Sequence, residues 1–287
     1  MTTIGDAGLR GTVAAAATRL AAAGVASPRY DAEELAAHVL GLPRSRLALV
    51  DRLPAAAASR YAELVEQRAA RVPLQHLTGV AGFRRLDLAV GPGVFVPRPE
   101  TEVLVDWALA QVAQLRPGAL VVDLCAGSGA VALAIADEAS GVTVHAVERE
   151  EHALAWAARN VATTGLPVTL HRGDVADPAL LAPLAGTVDL VTANPPYIPV
   201  GAAVEREVAE HDPPAALWGG EDGLDVVRVV ERAAARLLRP GGLVAVEHAD
   251  AQGKSVPAVF ARAGWAEVAD HPDLAGRPRF ATARRLP

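Results

Sequence analysis

The tetrapeptide Asn194-Pro195-Pro196-Tyr197 contains the residue types that would hold a planar NH2 group. It follows the apolar run 188–193, which predicts a strand buried on both faces. The tetrapeptide would then lie at a strand's carboxyl end, where open α/β sheets bind ligands. Because proline has no N–H, the segment mainly offers acceptors, namely the Asn194 side-chain oxygen and the Pro195 carbonyl oxygen. The Tyr197 ring offers a face for the same plane to stack on. These features predict a site for an amide or an aryl amine, and the alternative is a rigid turn without chemistry.

A glycine-containing loop and three acidic residues predict a second site, for a nucleotide-type ligand. The loop follows a predicted strand at 119–124 and consists of Cys125, Ala126, Gly127, Ser128 and Gly129. Its glycines have no Cβ, so the backbone can approach a ligand closely. Asp123, Glu148 and Asp174 come at the ends of three successive predicted strands. Glu148 is placed to accept hydrogen bonds from a ribose diol, and Asp174 to accept one from an adenine amino group.

Two cofactors compete for this second site. The spacing Gly127-x-Gly129-x-x-Ala132 also satisfies the loose dinucleotide pattern, so an NAD-dependent oxidoreductase is one candidate. Asp123 favours S-adenosylmethionine, because its carboxylate at the strand end would attract a ligand ammonium and repel a pyrophosphate. Glu148 does not discriminate, since both cofactors carry a ribose.

The elements that must position these residues divide the chain into three parts. Residues 1–72 show helical periodicity and predict a small bundle for substrate recognition. Residues 73–98 predict a linking β-hairpin. Residues 99–287 alternate strands and helices, including helices at 177–184 and 250–263, and end in two strands. This order predicts an α/β fold with a doubly wound, mostly parallel sheet and an antiparallel edge.

The motifs together resemble one family of methyltransferases. Asp-Leu-x-x-Gly-Ser-Gly at 123–129, Asn-Pro-Pro-Tyr at 194–197 and Pro-Arg-Pro-Glu-Thr-Glu at 97–102 are similar to those of the HemK family. Further similarity lies in Leu-Thr-Gly at 77–79 and Glu-His at 247–248. That family comprises the glutamine-N5 methyltransferases that act on peptide chain release factors.

The resemblance implies a fold, a cofactor and a substrate. The fold is a Rossmann-like, seven-stranded domain with an N-terminal helical bundle and a hairpin link, and the cofactor is S-adenosylmethionine. The substrate is the glutamine of the Gly-Gly-Gln motif in release factors. Arg98, Glu100 and Thr101 are expected near the active-site mouth, although a plain helix N-terminus also explains Glu100 and Thr101. The chain departs from the family pattern at Cys125, usually glycine, and Val175, often aromatic.

These inferences define the predicted site residues. Asn194, Pro195 and Tyr197 are expected to be catalytic, by accepting from and stacking on the substrate amide, without a general base. The expected cofactor contacts are Asp123, Cys125, Ala126, Gly127, Ser128, Gly129, Glu148, Asp174, Val175 and Asn194. The expected substrate contacts are Asn194, Pro195, Pro196, Tyr197, Arg98, Glu100 and Thr101.

Composition weighs against several other classes of protein. The net charge is −6, whereas a nucleic-acid enzyme usually carries a basic surface, so an adenine-N6 methyltransferase on DNA or RNA is the weaker alternative. A binding module without catalysis would not need the amide site. The histidines are scattered without ligand spacing, so no metal is expected. The single cysteine and the lack of a signal or membrane segment favour the cytoplasm.

Overall fold

The computed structural model describes residues 8–115 and 117–287. The chain forms two compact units. The first comprises the residues up to Val80 together with the later segment Val204–His211, and the second comprises Ala81–Ala203 and Asp212–Pro287. The segment 204–211 follows the Asn-Pro-Pro-Tyr tetrapeptide in the chain, and no sequence pattern assigned it to the helical part. The functional division at residues 72 and 98 stays a prediction.

The first unit is helical, because apolar residues recur at the three- and four-residue spacing that gives each helix one buried face. In α1 this face is formed by Leu9, Val13, Ala16 and Leu20. The second helix begins with Pro28 at its first turn and ends at Gly41, whose φ of 63° suits glycine. The helices are α1 (Leu9–Ala22), α2 (Pro28–Leu40), α3 (Ala55–Ala69), α4 (Leu74–Thr78) and, from later in the chain, α8 (Arg206–His211).

The second unit contains a two-stranded hairpin and a seven-stranded sheet. The hairpin consists of β1 (Val80–Phe83) and β2 (Leu86–Ala89). The sheet strands are β3 (Leu120–Leu124), β4 (Thr143–Glu148), β5 (Val168–Arg172), β6 (Val188–Ala193), β7 (Leu238–Glu247), β8 (Ala266–Pro272) and β9 (Pro278–Arg284). The helices of this unit are α5 (Glu102–Val112), α6 (Ala130–Glu138), α7 (Glu151–Thr164), α9 (Asp225–Leu237) and α10 (Ser255–Arg262).

The order of strands in the sheet is β5-β4-β3-β6-β7-β9-β8. The first five of these are parallel, and β9 and β8 are antiparallel. Every residue of β6 is buried, as expected for a strand covered on both faces by helices. The predicted fold class is therefore confirmed, including the antiparallel edge.

The strand order reverses between β3 and β6, and this reversal positions the site. In a doubly wound sheet, ligands bind outside the carboxyl ends of the strands at such a switch point. Here β3 pairs with β6 in parallel, with Leu124 opposite Ala193. The glycine loop that starts at Cys125 and the tetrapeptide that starts at Asn194 therefore leave the sheet side by side.

Two predicted helices differ from the observed structure. Residues 177–184 form turns and a 3-10 segment, Ala182–Leu184, because Pro178 and Pro183 interrupt hydrogen bonding and Leu181 has a φ of 53°. The predicted helix at 250–263 is two elements, a 3-10 turn at Asp250–Gln252 and then α10. In the part of the chain that the structure describes, no helix has the length and apolarity needed to cross a membrane.

Candidate active site

The glycine loop turns sharply between β3 and α6 through three residues with positive φ. These are Cys125 at 60°, Gly127 at 57° and Gly129 at 83°. A Cβ at Gly127 would meet nothing within 4 Å, so this glycine borders open space. A Cβ at Gly129 would lie 3.4 Å from Leu133, so this glycine faces the packed helix. The loop thus presents backbone to a ligand on one side and packs against α6 on the other.

Cys125 occupies a conformation in which a side chain is strained. Its half-buried thiol packs against the core, and burial raises the pKa of this thiol above its ordinary value. The positive φ gives a physical reason why glycine suits this position.

Cys125→Gly is expected to be more stable than Cys125→Ala by about 1 kcal/mol, since both lose the sulfur and only glycine relieves the strain. Urea unfolding of the two variants measures this difference. A glycine variant less stable than the alanine variant would show that φ is not the cost here.

Glu148 supports the loop from the end of β4. Its Oε2 accepts a hydrogen bond from the Gly127 N–H at 2.8 Å, and its Oε1 accepts from the N–H groups of Arg149 and Glu150 at 2.7 and 2.8 Å. A carboxylate has about four acceptor positions, so about one is left for a ligand hydroxyl. The structure therefore adds a role that sequence reasoning missed, which is to hold the glycine loop.

Asp174 and Val175 follow β5. Asp174 accepts from the Ala176 N–H at 2.8 Å and pairs with Arg149 at 3.3 Å; these contacts, the Ala176 bond first, lower the pKa of Asp174. Val175 is half-buried and packs against the core cluster that also contains Leu180. Contact of either residue with an adenine stays a prediction.

Asp123 lies inside the protein rather than at its surface, with only 1% of its area exposed. Its Oδ1 accepts a hydrogen bond from the Thr192 hydroxyl at 2.8 Å. Burial raises the pKa of Asp123 to about 7, against the effect of the Thr192 bond. Contact of this carboxyl with a ligand ammonium stays a prediction.

The raised pKa of Asp123 has a consequence for stability. Between pH 4 and 7 the folded protein keeps a proton on Asp123 that the unfolded chain has lost, so this group lowers the free energy of unfolding as pH rises. Asp123→Asn cannot titrate, so its stability relative to the parent should increase across this range, by on the order of 3 kcal/mol, and level off above pH 7. Urea unfolding at several pH values measures the difference, and parallel curves for the two proteins would contradict it.

The tetrapeptide is fixed by side chains from three other elements. The Asn194 Nδ2 donates to the Thr101 hydroxyl at 3.3 Å. The Tyr197 hydroxyl donates to Glu247 Oε1 at 3.3 Å, and the Tyr197 carbonyl accepts from Gln252 Nε2 at 3.0 Å. Pro195 is buried, whereas Asn194, Pro196 and Tyr197 are half-buried. The acceptor pair, which is the Asn194 side-chain oxygen and the Pro195 carbonyl oxygen, therefore lies on a segment that these hydrogen bonds hold in place.

The connection at 198–222 packs closely on this segment. Gly219 donates to the Ile198 carbonyl at 2.8 Å, and a Cβ there would lie 2.7 Å from the Pro196 carbonyl oxygen. At Gly223 a Cβ would lie 2.4 Å from the Tyr197 carbonyl oxygen. Trp218 forms a β-bridge with Ile198, so it anchors the connection.

Glu247 is a buried acid that sequence reasoning left without a role. It ends β7, next to β6 in the sheet, and only 2% of it is exposed. Burial raises its pKa to about 7, while the charge of Arg279 and the hydrogen bond from the Tyr197 hydroxyl oppose the rise. Its neighbour His248 is fully buried and bonded to Ala249 and Asp270. The sequence feature that could have identified Glu247 as a site residue is its position at the end of a buried strand.

Three predicted substrate contacts lie in the segment that precedes α5, and the structure gives each of them different neighbours. Thr101 is buried and contacts Asn194. Glu100 is partly exposed, with Arg277 at 3.9 Å. Arg98 stacks over Phe95 and pairs with the buried Asp212 at 2.8 Å. Thr101 therefore contacts the site through the Asn194 side chain. Substrate contact by Arg98 and Glu100 stays a prediction.

Comparison with known proteins adds to this geometry. Residues 12–79 match the family model described as PrmC N-terminal domain, and residues 100–211 match the methyltransferase small domain. A release factor glutamine methyltransferase of Streptomyces coelicolor is 56% identical over 281 residues, which are 95% of this chain and 96% of the relative. The chain belongs to the release factor glutamine methyltransferase family.

One further sequence relative and one solved structure are also similar to this chain. A 4-amino-L-phenylalanine/4-methylamino-L-phenylalanine methyltransferase of Streptomyces pristinaespiralis is 45% identical over 221 residues, 74% of each chain. A methyltransferase crystal structure from Pyrococcus furiosus, 20% identical with a TM-score of 0.52, covers 80% of this chain and 100% of that chain. The structural likeness shows the shared fold. The release factor glutamine methyltransferase family thus has an amine-methylating relative.

Proposed function

We infer that this protein transfers a methyl group from S-adenosylmethionine to the side-chain amide nitrogen of the glutamine in the Gly-Gly-Gln motif of peptide chain release factors. The observation that carries this is the acceptor pair of Asn194 and Pro195 beside the glycine loop, in a chain of the release factor glutamine methyltransferase family. The alternative, an adenine-N6 methyltransferase on DNA or RNA, lacks comparable support, because relatives of high identity are named release factor glutamine methyltransferases.

The residues of the loop fit S-adenosylmethionine. Gly127 faces open space at the switch point, where its backbone can approach a ligand. Glu148 keeps about one acceptor position for a ribose hydroxyl. Asp174 offers remaining lone pairs at the next strand end. When bound, S-adenosylmethionine supplies a methyl group made electrophilic by the sulfonium.

The protein must make the substrate amide nitrogen, which is a poor nucleophile, attack the methyl group. The lone pair of an amide nitrogen is delocalised into the carbonyl group. Asn194 Oδ1 and the Pro195 carbonyl would each accept one N–H of the substrate amide, and the Tyr197 ring would hold its plane. Charge that develops on nitrogen strengthens both hydrogen bonds, so they stabilise the transition state more than the ground state. Positioning alone contributes up to about 7–11 kcal/mol.

A general base is not required before transfer, because the amide proton becomes acidic only as the new N–C bond forms. The first unit is proposed to bind the release factor. This proposal is supported by the match of residues 12–79 to the family's N-terminal domain and by the lack of a comparable acceptor site in the sequence of that region.

A panel of substrates tests the proposed class. The protein is incubated with labelled S-adenosylmethionine and, separately, unmodified release factor, DNA, RNA and 4-amino-L-phenylalanine. Label in the release factor alone is expected. Label in adenine would support the nucleic-acid alternative, and label in the amino acid alone would place this chain with its amine-methylating relative. Binding of S-adenosylhomocysteine without any transfer would support a binding module.

A further inference from the structure

One buried glutamine side chain connects three backbone segments at and around the tetrapeptide. Gln252 ends the 3-10 turn that follows β7, and only 6% of it is exposed. Its Oε1 accepts a hydrogen bond from the Ala249 N–H at 3.0 Å. Its Nε2 donates to the Tyr197 carbonyl at 3.0 Å and to the Gly223 carbonyl at 3.3 Å. Because a backbone N–H only donates and a carbonyl only accepts, these three partners fix the orientation of the side-chain amide.

The Gln252 amide holds both ends of the connection at 198–222, because Tyr197 precedes this connection and Gly223 follows it. The packing at this point leaves no room for a side chain at position 223. Gly223 has a φ of 73°, and a Cβ on it would lie 2.4 Å from the Tyr197 carbonyl oxygen and 2.7 Å from Gln252 Nε2. The Tyr197 carbonyl is therefore in close contact with both residues.

The hydrogen bonds of Gln252 require an amide. A carboxylate of the same length would still accept from Ala249, but its second oxygen would face two carbonyl oxygens. A methionine thioether would offer neither carbonyl a donor. We propose that Gln252 is a positioning residue for methyl transfer, which fixes the Tyr197 backbone and so the ring that would hold the plane of the substrate amide. This inference rests on the proposed function, in which Tyr197 contacts the substrate.

The environment of the Tyr197 ring can be measured without substrate. The chain contains three tyrosines, Tyr30, Tyr61 and Tyr197, so NMR with 13C-labelled tyrosine rings gives few signals. Tyr30 and Tyr61 belong to the first unit and are internal references. We expect Gln252→Met, which removes all three hydrogen bonds, to shift the Tyr197 ring signals and to leave the two reference rings in place.

Gln252→Glu adds a test that depends on protonation. The position is buried and faces two carbonyl oxygens, so the pKa of the introduced carboxyl should be raised above its ordinary value. When protonated, this carboxyl regains one O–H donor for the Tyr197 carbonyl and still accepts from Ala249. We expect the Tyr197 signals of this variant to return toward their parent positions as pH is lowered. Glu247 and His248, which bond to Tyr197 and Ala249, are also present in the parent, so the parent is measured at each pH as the reference.

Kinetics provides a second readout. At about pH 8 we expect kcat to fall about tenfold to a hundredfold in both Gln252 variants, the scale on which a small misplacement slows an enzyme. Relative to the parent, lower pH should recover part of this loss in Gln252→Glu and none in Gln252→Met. Affinity for S-adenosylhomocysteine should stay within about threefold, because the glycine loop is held by Glu148 and by neighbouring backbone. Gln114→Met is the matched control, since the exposed Gln114 amide donates to the Ala110 carbonyl at 3.1 Å, and it should change neither kcat nor the Tyr197 signals.

Several results would overturn the positioning role. They are Tyr197 signals that match the parent in both Gln252 variants, a kcat close to that of the parent, or a loss of S-adenosylhomocysteine binding in step with kcat. If Gln252→Met does not fold, Gln252→Glu decides alone, because its two protonation states are compared in one protein. Equal Tyr197 signals in those two states, beyond the response of the parent, would then contradict the role.

The ring measurement needs no substrate, so it separates this inference from the proposed function. If the Tyr197 signals respond as expected but release factor is not methylated, the positioning of Tyr197 by Gln252 stands and the proposed substrate is wrong.

Discussion

Replacing Asn194 with alanine is expected to lower kcat by at least about 10²- to 10³-fold, the range seen when one preorganised polar group is removed from a charge-stabilising site. Alanine removes the side-chain oxygen that would accept one N–H of the substrate amide, and it leaves Thr101 without its Nδ2 partner. The glycine loop does not depend on this side chain, since its own bonds run to Glu148, Val147 and Ala126. Cofactor affinity should therefore stay within a few-fold.

Two measurements separate these effects. Single-turnover methylation of release factor gives the rate of transfer, and calorimetric titration with S-adenosylhomocysteine gives the binding affinity. Parallel loss of transfer and binding would mean that Asn194 mainly holds the cofactor. A kcat close to that of the parent protein would remove Asn194 from the catalytic set altogether.

Replacing Arg68 with alanine is expected to destabilise the first unit by about 3–5 kcal/mol. The Arg68 side chain is only 7% exposed and donates to Asp31 at 2.7 Å, to Glu207 at 2.8 Å and to the Val72 carbonyl at 3.0 Å. Alanine would leave the buried Asp31 without its cation, and Glu207 would keep only Arg71, at 3.4 Å. Because Glu207 belongs to α8, the variant should also loosen the attachment of α8 to the other helices of this unit.

Arg19→Ala is the matched control, because it removes the same kind of side chain from an exposed pair. Arg19 is 2.8 Å from Glu66, but their side chains are 48% and 62% exposed, so the expected cost is about 0.2–1 kcal/mol. Urea unfolding gives both values, and limited proteolysis at 198–211 reports on α8. Equal costs for the two variants would show that burial of the Arg68 network does not matter.

The sequence predicted the fold of the second unit well because its signals are local. The alternation of buried strands and helices indicates a doubly wound sheet, and a motif that follows a strand must lie at its carboxyl end. The pairing of β3 with β6 then brings the glycine loop beside Asn194, as the switch-point rule predicts. Proline residues and a strained Leu181 prevented the helix predicted at 177–184.

The contacts that local patterns could not predict join distant residues. Thr101 and Asn194 meet only because the 3-10 turn Pro99–Thr101 packs against the carboxyl end of β6 in three dimensions. The packing of α8 with the first unit depends on Glu207 reaching Arg68, which is 139 positions away in the chain. The use of Glu148 as a support for the glycine loop also required the backbone geometry of the loop.

Locating the transferred methyl group tests the proposed function of this protein. Unmodified release factor is treated with the protein and S-adenosylmethionine, digested, and sequenced by tandem mass spectrometry, beside a release factor whose Gly-Gly-Gln glutamine is replaced by glutamate. We expect one added methyl on the side-chain nitrogen of that glutamine and none in the glutamate control. A methyl on any other residue, or equal labelling of the control, would contradict it.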